Sequence, residues 1–462
     1  MRTSNVLLRA RCALPIAAAL AASCAGGNPQ SFPGHAAPAG RVARRSTGST
    51  PISHVIVVIQ ENRSFDDFFA TYPGADGTTF GTLSNGTEVP LQEVNLDYPC
   101  DFGHSYAGFL KDYDGGKMDG FNLEGASKKC PGQAGTRSYQ YVNPAQIAPY
   151  WAMAQQFVLA DHMFQTQGSG SFTAHQDLIA GGTVVNQAQT QSLIDFPSAK
   201  PWGCDAPPGT LTSLLVAKRA KLEYRYRKGP FPCLTYATLR DLLDAASVSW
   251  HYYSPPDRGS TGAIWNAFDA IQAVREGPEW TTNISKEKQI FSDVSNGRLA
   301  AVSWIVPDEA NSDHPGGKSG TGPSWVASIV NAVGESSYWD STAIVVVWDD
   351  WGGFYDHEPP PFFDKWGGLG FRVPALVISA YTPQTTSGSY VSHTQYEFGS
   401  ILKFVEDTFS LGRLGTTDVR ATSIGDSFDF NQSPRPFTPI PASYSRAFFE
   451  RQPPSYQPVD TQ

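Results

Sequence analysis

Apolar residues in this chain come in short β-branched bursts that stop abruptly on acids and amides. Val55 to Ile59 (V-I-V-V-I) suits a strand buried on both faces and is too short for a helix, and it ends on Gln60, Glu61 and Asn62. Ala343 to Trp348 (A-I-V-V-V-W) repeats the design and runs into Asp349 and Asp350. Further strands are predicted over 299–306 and 373–379, and one of alternating pattern over 248–253. Helical spacing occurs over 212–220, 238–246, 325–333 and 394–408, and 144–161 reads as a helix leading into a short strand. Strands that alternate with helices imply a mostly parallel sheet covered on both faces. Glycines, prolines and charges break every period from Thr71 to Gly135, which reads as a long excursion of loops. Residues 25–50 read as a flexible linker, 51–430 as the catalytic domain, and 431–462 as a Pro-rich tail packed on its surface.

Open α/β sheets bind ligands just beyond the carboxyl ends of their strands. If the two bursts are neighbouring strands, Glu61, Asn62, Asp349 and Asp350 converge there. Three carboxylates so close repel one another unless a cation sits among them. Their oxygens suit one divalent metal ion, with calcium, magnesium, manganese and zinc all open.

Downstream, G-S-G-S-F-T-A-H-Q-D-L-I places Thr173 in the first turn of a helix, where free N–H groups and the positive dipole end favour a phosphate. A hydroxyl there, beside a metal, is a candidate nucleophile; the plain alternative is an N-cap, and Ser169 and Ser171 compete for either role. His104 (D-F-G-H-S) and His314 (N-S-D-H-P) lie in Gly-containing loops. They are placed either to hold phosphoryl oxygens and protonate a leaving group, or simply to bond the loops. His175 and His251 are expected behind such a site, and Asp356 with His357 is expected to pin its own loop. His54 and His393 read as structural, and Arg63 as a phosphate partner or a brace for Asp66 or Asp67.

Composition narrows the setting. The first 24 residues have three arginines, then an apolar run too short to span a bilayer, and read as a secretory signal peptide. Cys24 follows small residues as in a lipoprotein site, although Ala21 replaces the customary large aliphatic. Removing three of 34 basic residues leaves 31 against 43 acids, a net charge of −12 that argues against nucleic acid as a partner. Four cysteines remain, and in an exported chain the pairs Cys100 with Cys130 and Cys204 with Cys233 are the expected disulfides.

Together, E-N-R-S-F-D with P-G-A-D-G, G-H-S, the Thr173 segment, D-H-P, W-D-D-W-G-G-F-Y-D-H and S-H-T-Q-Y-E resemble the bacterial phosphoesterases. That family includes non-haemolytic phospholipase C and a related acid phosphatase, with plant non-specific phospholipases C as cousins, and the resemblance spans residues 52–410. It implies an alkaline-phosphatase-like three-layer α/β sandwich and an exported, metal-dependent phosphoesterase. In it Glu61, Asn62, Asp349 and Asp350 match metal ligands, and Thr173 the hydroxyl that becomes transiently phosphorylated. His104 and His314, and through a shorter motif His251, match histidines around the phosphate. The substrate expected is a phospholipid diester, reached by transient contact with a membrane surface, or a phosphomonoester if the chain is an acid phosphatase. A non-catalytic binding protein is the remaining alternative. A lipid substrate calls for an apolar rim, for which Trp202, Trp351, Phe354 and Phe362 are candidates. Two positions depart from the pattern: Asp67 and Trp351 stand where the family commonly has histidine.

Overall fold

The computed structural model describes residues 50–219, 221–255, 263–316, 320–362, 364–385 and 389–455, so the expected signal peptide, Cys24 and most of the linker lie outside it. An eight-stranded sheet forms its centre. In chain order the strands are β1 (His54–Gln60), β2 (Val158–Ala160), β3 (Trp250–Ser254), β4 (Ile284–Lys286), β5 (Val302–Ile305), β6 (Thr342–Trp348), β7 (Ala375–Ser379) and β8 (Tyr390–Ser392). Their order across the sheet is β4-β3-β5-β1-β6-β7-β2-β8. Every pairing is parallel except the two made by β7.

The two bursts are therefore the middle of the sheet. β1 lies between β5 and β6, and its residues from Val55 onward are all buried, as are all those of β6. Parallel strands covered on both faces need apolar residues at every position, which explains why neither strand alternates. The register pairs Gln60 with Trp348, so Glu61 and Asp349 leave the sheet side by side.

The principal helices are α1 (Phe65–Phe69), α2 (Tyr106–Tyr113), α3 (Ala148–Gln156), α4 (Ser171–Ala180), α5 (Leu239–Ala245), α6 (Gln289–Ser295), α7 (Gly322–Gly334) and α8 (Phe398–Thr408). Two consecutive residues of β3 show how they divide. The Tyr252 ring packs on Phe268, beside the Ala267 carbonyl that accepts a bond from Gln176 of α4 at 2.8 Å. The Tyr253 hydroxyl reaches instead to Asp293 of α6 at 3.0 Å, and α6 packs on α7. Neighbouring side chains of a strand point to opposite faces, so α4 and α6 cover opposite sides of the sheet.

Helix and strand differ from expectation in two places. Residues 213–218 form a strand, paired antiparallel with Gln191–Ile194 and Lys221–Arg225. As the middle strand of that small sheet it buries Leu214, Leu215 and Val216 in succession, and tertiary pairing overrides their helical spacing. The excursion from 71 to 135 contains α2, capped by Ser105, whose hydroxyl accepts from the Gly108 N–H. Both expected disulfides are present, Cys100–Cys130 and Cys204–Cys233. Beyond Asp429 the chain buries Ile440 and Phe449, the latter against Trp325 of α7. No helix among the described residues is long and apolar enough to cross a membrane.

Candidate active site

Immediately after β1 the backbone turns into the left-handed region at Asn62, with φ of 56°. Asparagine tolerates that conformation better than most residues, and the turn ends the strand's alternation so that Glu61 and Asn62 both serve one pocket. Two bonds hold the turn against the β6 end: the Asn62 N–H donates to Asp349 Oδ1 at 3.0 Å, and the Asp350 N–H donates to the same oxygen at 2.8 Å. Gly352 is needed beneath them, because a Cβ there would lie 2.5 Å from the Asn62 carbonyl oxygen.

All four residues of the expected clamp are fully buried and adjacent. The Asn62 amide donates to Asp350 Oδ2 at 3.2 Å, and Gly352 N–H donates to Asp350 Oδ1 at 2.8 Å. Burial, then the charge of Asp349, pushes the Glu61 and Asp350 carboxyls well above the usual carboxylate range. Glu61 Oε2, Asn62 Oδ1 and Asp349 Oδ2 are buried without a hydrogen-bond partner. Unpartnered acceptors from three neighbouring residues are costly in a closed protein and are what a coordinated cation would satisfy. The donor set therefore fits a divalent metal.

A fifth residue joins them. His175 Nε2 lies 2.8 Å from Glu61 Oε1 and 3.6 Å from Asp349 Oδ2, and its ligand atom with theirs forms one cluster able to hold a metal ion. Burial holds the imidazole down at about 4, against the opposing pull of Asp349, so it is neutral.

The hydroxyl that helix α4 delivers is that of Ser171. Ser171 Oγ donates to Asp350 Oδ2 at 3.2 Å and accepts from the Asn62 amide at 3.4 Å. Thr173 is turned elsewhere: its hydroxyl donates to the Asp195 carbonyl at 2.8 Å. The geometry of a helix explains both placements. Residues four apart share a face, so Ser171 and His175 point together at the clamp, whereas Thr173, two positions on, is rotated about 200° from Ser171. That spacing, S-x-x-x-H, is the signal by which sequence reasoning could have chosen Ser171 and promoted His175. Ser169 is also committed, its hydroxyl accepting from the Asp195 N–H at 2.9 Å.

His104 and His314 line the same pocket, with ring centroids 6.4 Å apart. His104 Nδ1 donates to the Phe102 carbonyl at 2.7 Å, leaving Nε2 at 3.1 Å from the Asn62 amide. His314 Nδ1 donates to the Pro315 carbonyl at 2.9 Å, and its ring stacks on Trp265. Burial, then His104, lowers its pKa to about 3, so Nε2 is an acceptor. His251 is not brought to this pocket. It shares the β3 face of Tyr253, bonded through Nε2 to the Ser285 hydroxyl at 2.8 Å, on the side covered by α6 and away from α4.

The surrounding residues are structural. Arg63 is buried between the Phe68 and Phe354 rings, pairs with Asp67 at 3.0 Å and donates to the Asp313 carbonyl at 2.8 Å. Of the four rim aromatics, Trp202, Trp351 and Phe354 are buried and only Phe362 is exposed. Trp351 packs edge-on to His104 and donates its indole N–H to Asp112.

The sequence profile of the Phosphoesterase family matches residues 52–412. A non-hemolytic phospholipase C of Burkholderia pseudomallei is 26% identical over 90% of this chain, which spans 65% of that protein's length. A phospholipase C B of Mycobacterium tuberculosis is 25% identical over 84% of this chain and 80% of its own. Among solved structures, an alkaline phosphatase superfamily protein from Vibrio parahaemolyticus covers 82% of this chain and 72% of its own at 10% identity, with a TM-score of 0.36, too loose an overlap to carry an argument. Matching most of its length to the family profile, the chain belongs to the Phosphoesterase family.

Proposed function

We propose that this chain is an exported, metal-dependent phosphoesterase of the phospholipase C kind, working through a phosphorylated Ser171 rather than the phosphothreonine expected at Thr173. The observation that carries the reading is the Ser171 hydroxyl held between Asn62 and Asp350, at the amino end of a helix and beside buried carboxylates that lack partners. Glu61, Asn62, Asp349, Asp350 and His175 would hold the divalent ion, which when bound supplies positive charge to the phosphoryl oxygens and lowers the pKa of a nearby hydroxyl.

The chain's own residues then divide the work. Asp350 Oδ2 receives the hydroxyl proton of Ser171, and Oγ attacks phosphorus in line. The first N–H groups of α4 face the phosphoryl oxygens. His104, fixed through Nδ1 and protonated on both ring nitrogens for this step, gives the Nε2 proton to the departing alcohol as the ester P–O bond breaks. His314, neutral, accepts a hydrogen bond at Nε2 from the water that cleaves phosphoserine; that water gives its proton back to His104, and Asp350 returns its proton to the departing Ser171 Oγ. Two disulfides suit an oxidising, exported setting.

A monoesterase reading keeps its place on one observation, the burial of three of the four aromatics expected at a lipid-binding rim. Purified protein assayed for bound metal, with a chromogenic phosphomonoester set against a phosphocholine diester across pH, tests both. Chelator-sensitive turnover of the diester supports the phospholipase reading, preference for the monoester supports the phosphatase, and chelator-resistant turnover overturns metal dependence.

A further inference from the structure

Outside this pocket, a second group of ligating side chains gathers where three segments meet. Asp76 comes from the loop after α1, His162 from the turn after β2, and His357 with Glu358 from the loop leading towards β7. The Asp76 carboxylate is the meeting point: Oδ2 lies 3.3 Å from His162 Nε2, and Oδ1 lies 3.5 Å from His357 Nε2. Glu358 places a carboxylate oxygen in the same cluster as Asp76 and His357.

What sets this group apart from a casual surface cluster is how the rings are held. His162 Nδ1 donates to Asp161 Oδ1 at 2.8 Å, and His357 Nδ1 donates to Asp66 Oδ2 at 2.7 Å. Both aspartates are fully buried. A carboxylate behind each imidazole fixes its tautomer, makes it more basic and aims Nε2 outward, which is the support that metal-binding histidines characteristically have. Both aimed nitrogens face one carboxylate, that of Asp76.

The cluster is also rich in carboxylates and open to solvent. The carboxylates of Asp66, Asp76 and Asp356 surround a single guanidinium, Arg372, which lies 2.9 Å from Asp356, 3.5 Å from Asp66 and 3.7 Å from Asp76, and Asp161 adds a fourth carboxylate nearby while offering Arg372 its backbone carbonyl at 3.0 Å. These four carboxylates, with Glu358 beside them, share that arginine with the imidazoles of His162, His357 and His393, the last with Nδ1 2.7 Å from Asp161 Oδ2. Asp76 is 42% exposed in its side chain and His162 and His357 are 20% and 25%, so an ion has access from solvent.

We propose that Asp76, His162 and His357, with Glu358 beside them, form a second divalent-cation site, of zinc type, that clasps these three loops together. Two imidazoles and one or two carboxylates are a borderline donor set, suited to zinc rather than to calcium or magnesium. The site is independent of the phosphoesterase reading, since none of its residues belongs to the Ser171 pocket.

The test is metal stoichiometry on the full chain. Metal-stripped protein is dialysed against cobalt(II) or zinc(II), and bound equivalents are counted for wild type, Asp76→Asn and His162→Gln. Each variant is expected to bind one equivalent fewer and to lose visible cobalt absorption from the corresponding site, with hydrolysis of a chromogenic phosphate ester unchanged. Asp76→Asn is isosteric and partly exposed, and a circular dichroism melt verifies that both variants fold. If either folded variant binds as many equivalents as wild type, the cluster is an imidazolium–carboxylate network and the proposal fails.

Discussion

Replacing Ser171 and Thr173 separately by alanine discriminates the two hydroxyls on α4. Their structural costs are similar. Ser171→Ala removes a hydrogen bond to a carboxylate, worth about 1.5–3 kcal/mol. Thr173→Ala removes a neutral bond worth about 1 kcal/mol, and a buried methyl worth about 1 kcal/mol more. Thermal melts should therefore show two folded proteins, each modestly destabilised. The catalytic costs should diverge. Loss of a nucleophile lowers kcat on the order of 10⁴–10⁶-fold, about 5–8 kcal/mol of barrier, whereas Thr173→Ala should remain within a few-fold of wild type. The assay is hydrolysis of a chromogenic phosphate ester under saturating metal, joined to acid quenching and peptide mass spectrometry to find the phosphorylated residue. Phosphate on Thr173, or more than a tenth of wild-type kcat in Ser171→Ala, would refute the assignment.

Asp349→Asn should weaken binding of the catalytic ion at least tenfold in equilibrium dialysis and lower activity at limiting metal, because it removes one carboxylate charge beside Glu61 and His175. Glu287 is buried, and burial followed by the charge of Asp308 raises its pKa from 4.5 to about 7. The folded state thus holds a proton that the unfolded chain releases, so this group's contribution to stability falls by about 1.4 kcal/mol per pH unit between those values. Glu287→Gln should flatten that part of a urea-denaturation profile against pH and leave turnover unchanged. Replacing Cys100 and Cys130 together by serine opens a closed loop with a sequence separation of 30 residues. It should cost about 3–4 kcal/mol, read as a lower urea midpoint, and should depress kcat as well because His104 lies within that loop.

How far the sequence reaches depends on whether an element is specified locally or by its neighbours. β1 and β6 are legible because each is a β-branched run buried on both faces, and their polar endings already named the four clamp residues; what no run of letters contains is the register that sets Gln60 opposite Trp348. The strand at 213–218 is the opposite case, since its pattern fits a helix until two partners are supplied. Ser171 was within reach, because a helix beginning there fixes which of its side chains share a face with His175. His251 was not, because its place depends on which face of β3 looks towards α4, and the motif around it is the same on either face.

The layer under the clamp accounts for Asp67 and Trp351, the two positions where the resemblance leads one to expect histidine. Asp67 faces away from the pocket: Oδ2 holds Arg63 at 3.0 Å, and Oδ1 accepts from Gln140 at 3.3 Å. Arg63 in turn donates to the Asp313 carbonyl, one residue before His314, and to the Leu96 carbonyl. An acid at 67 therefore secures the arginine that ties the Glu61–Asn62 turn to the His314 loop, and breaking such a buried pair costs about 3–5 kcal/mol. Trp351 does the corresponding job on the β6 side. Its indole N–H reaches Asp112 of α2, its ring meets Phe109 and Phe371, and its edge lies against His104. Both substitutions act on how rigidly the histidines are presented and leave the Ser171 contacts to Asn62 and Asp350 untouched. Under the proposed mechanism, replacing Asp67 or Trp351 by histidine should therefore alter the steps that depend on His104 and His314 and leave attack by Ser171 little changed.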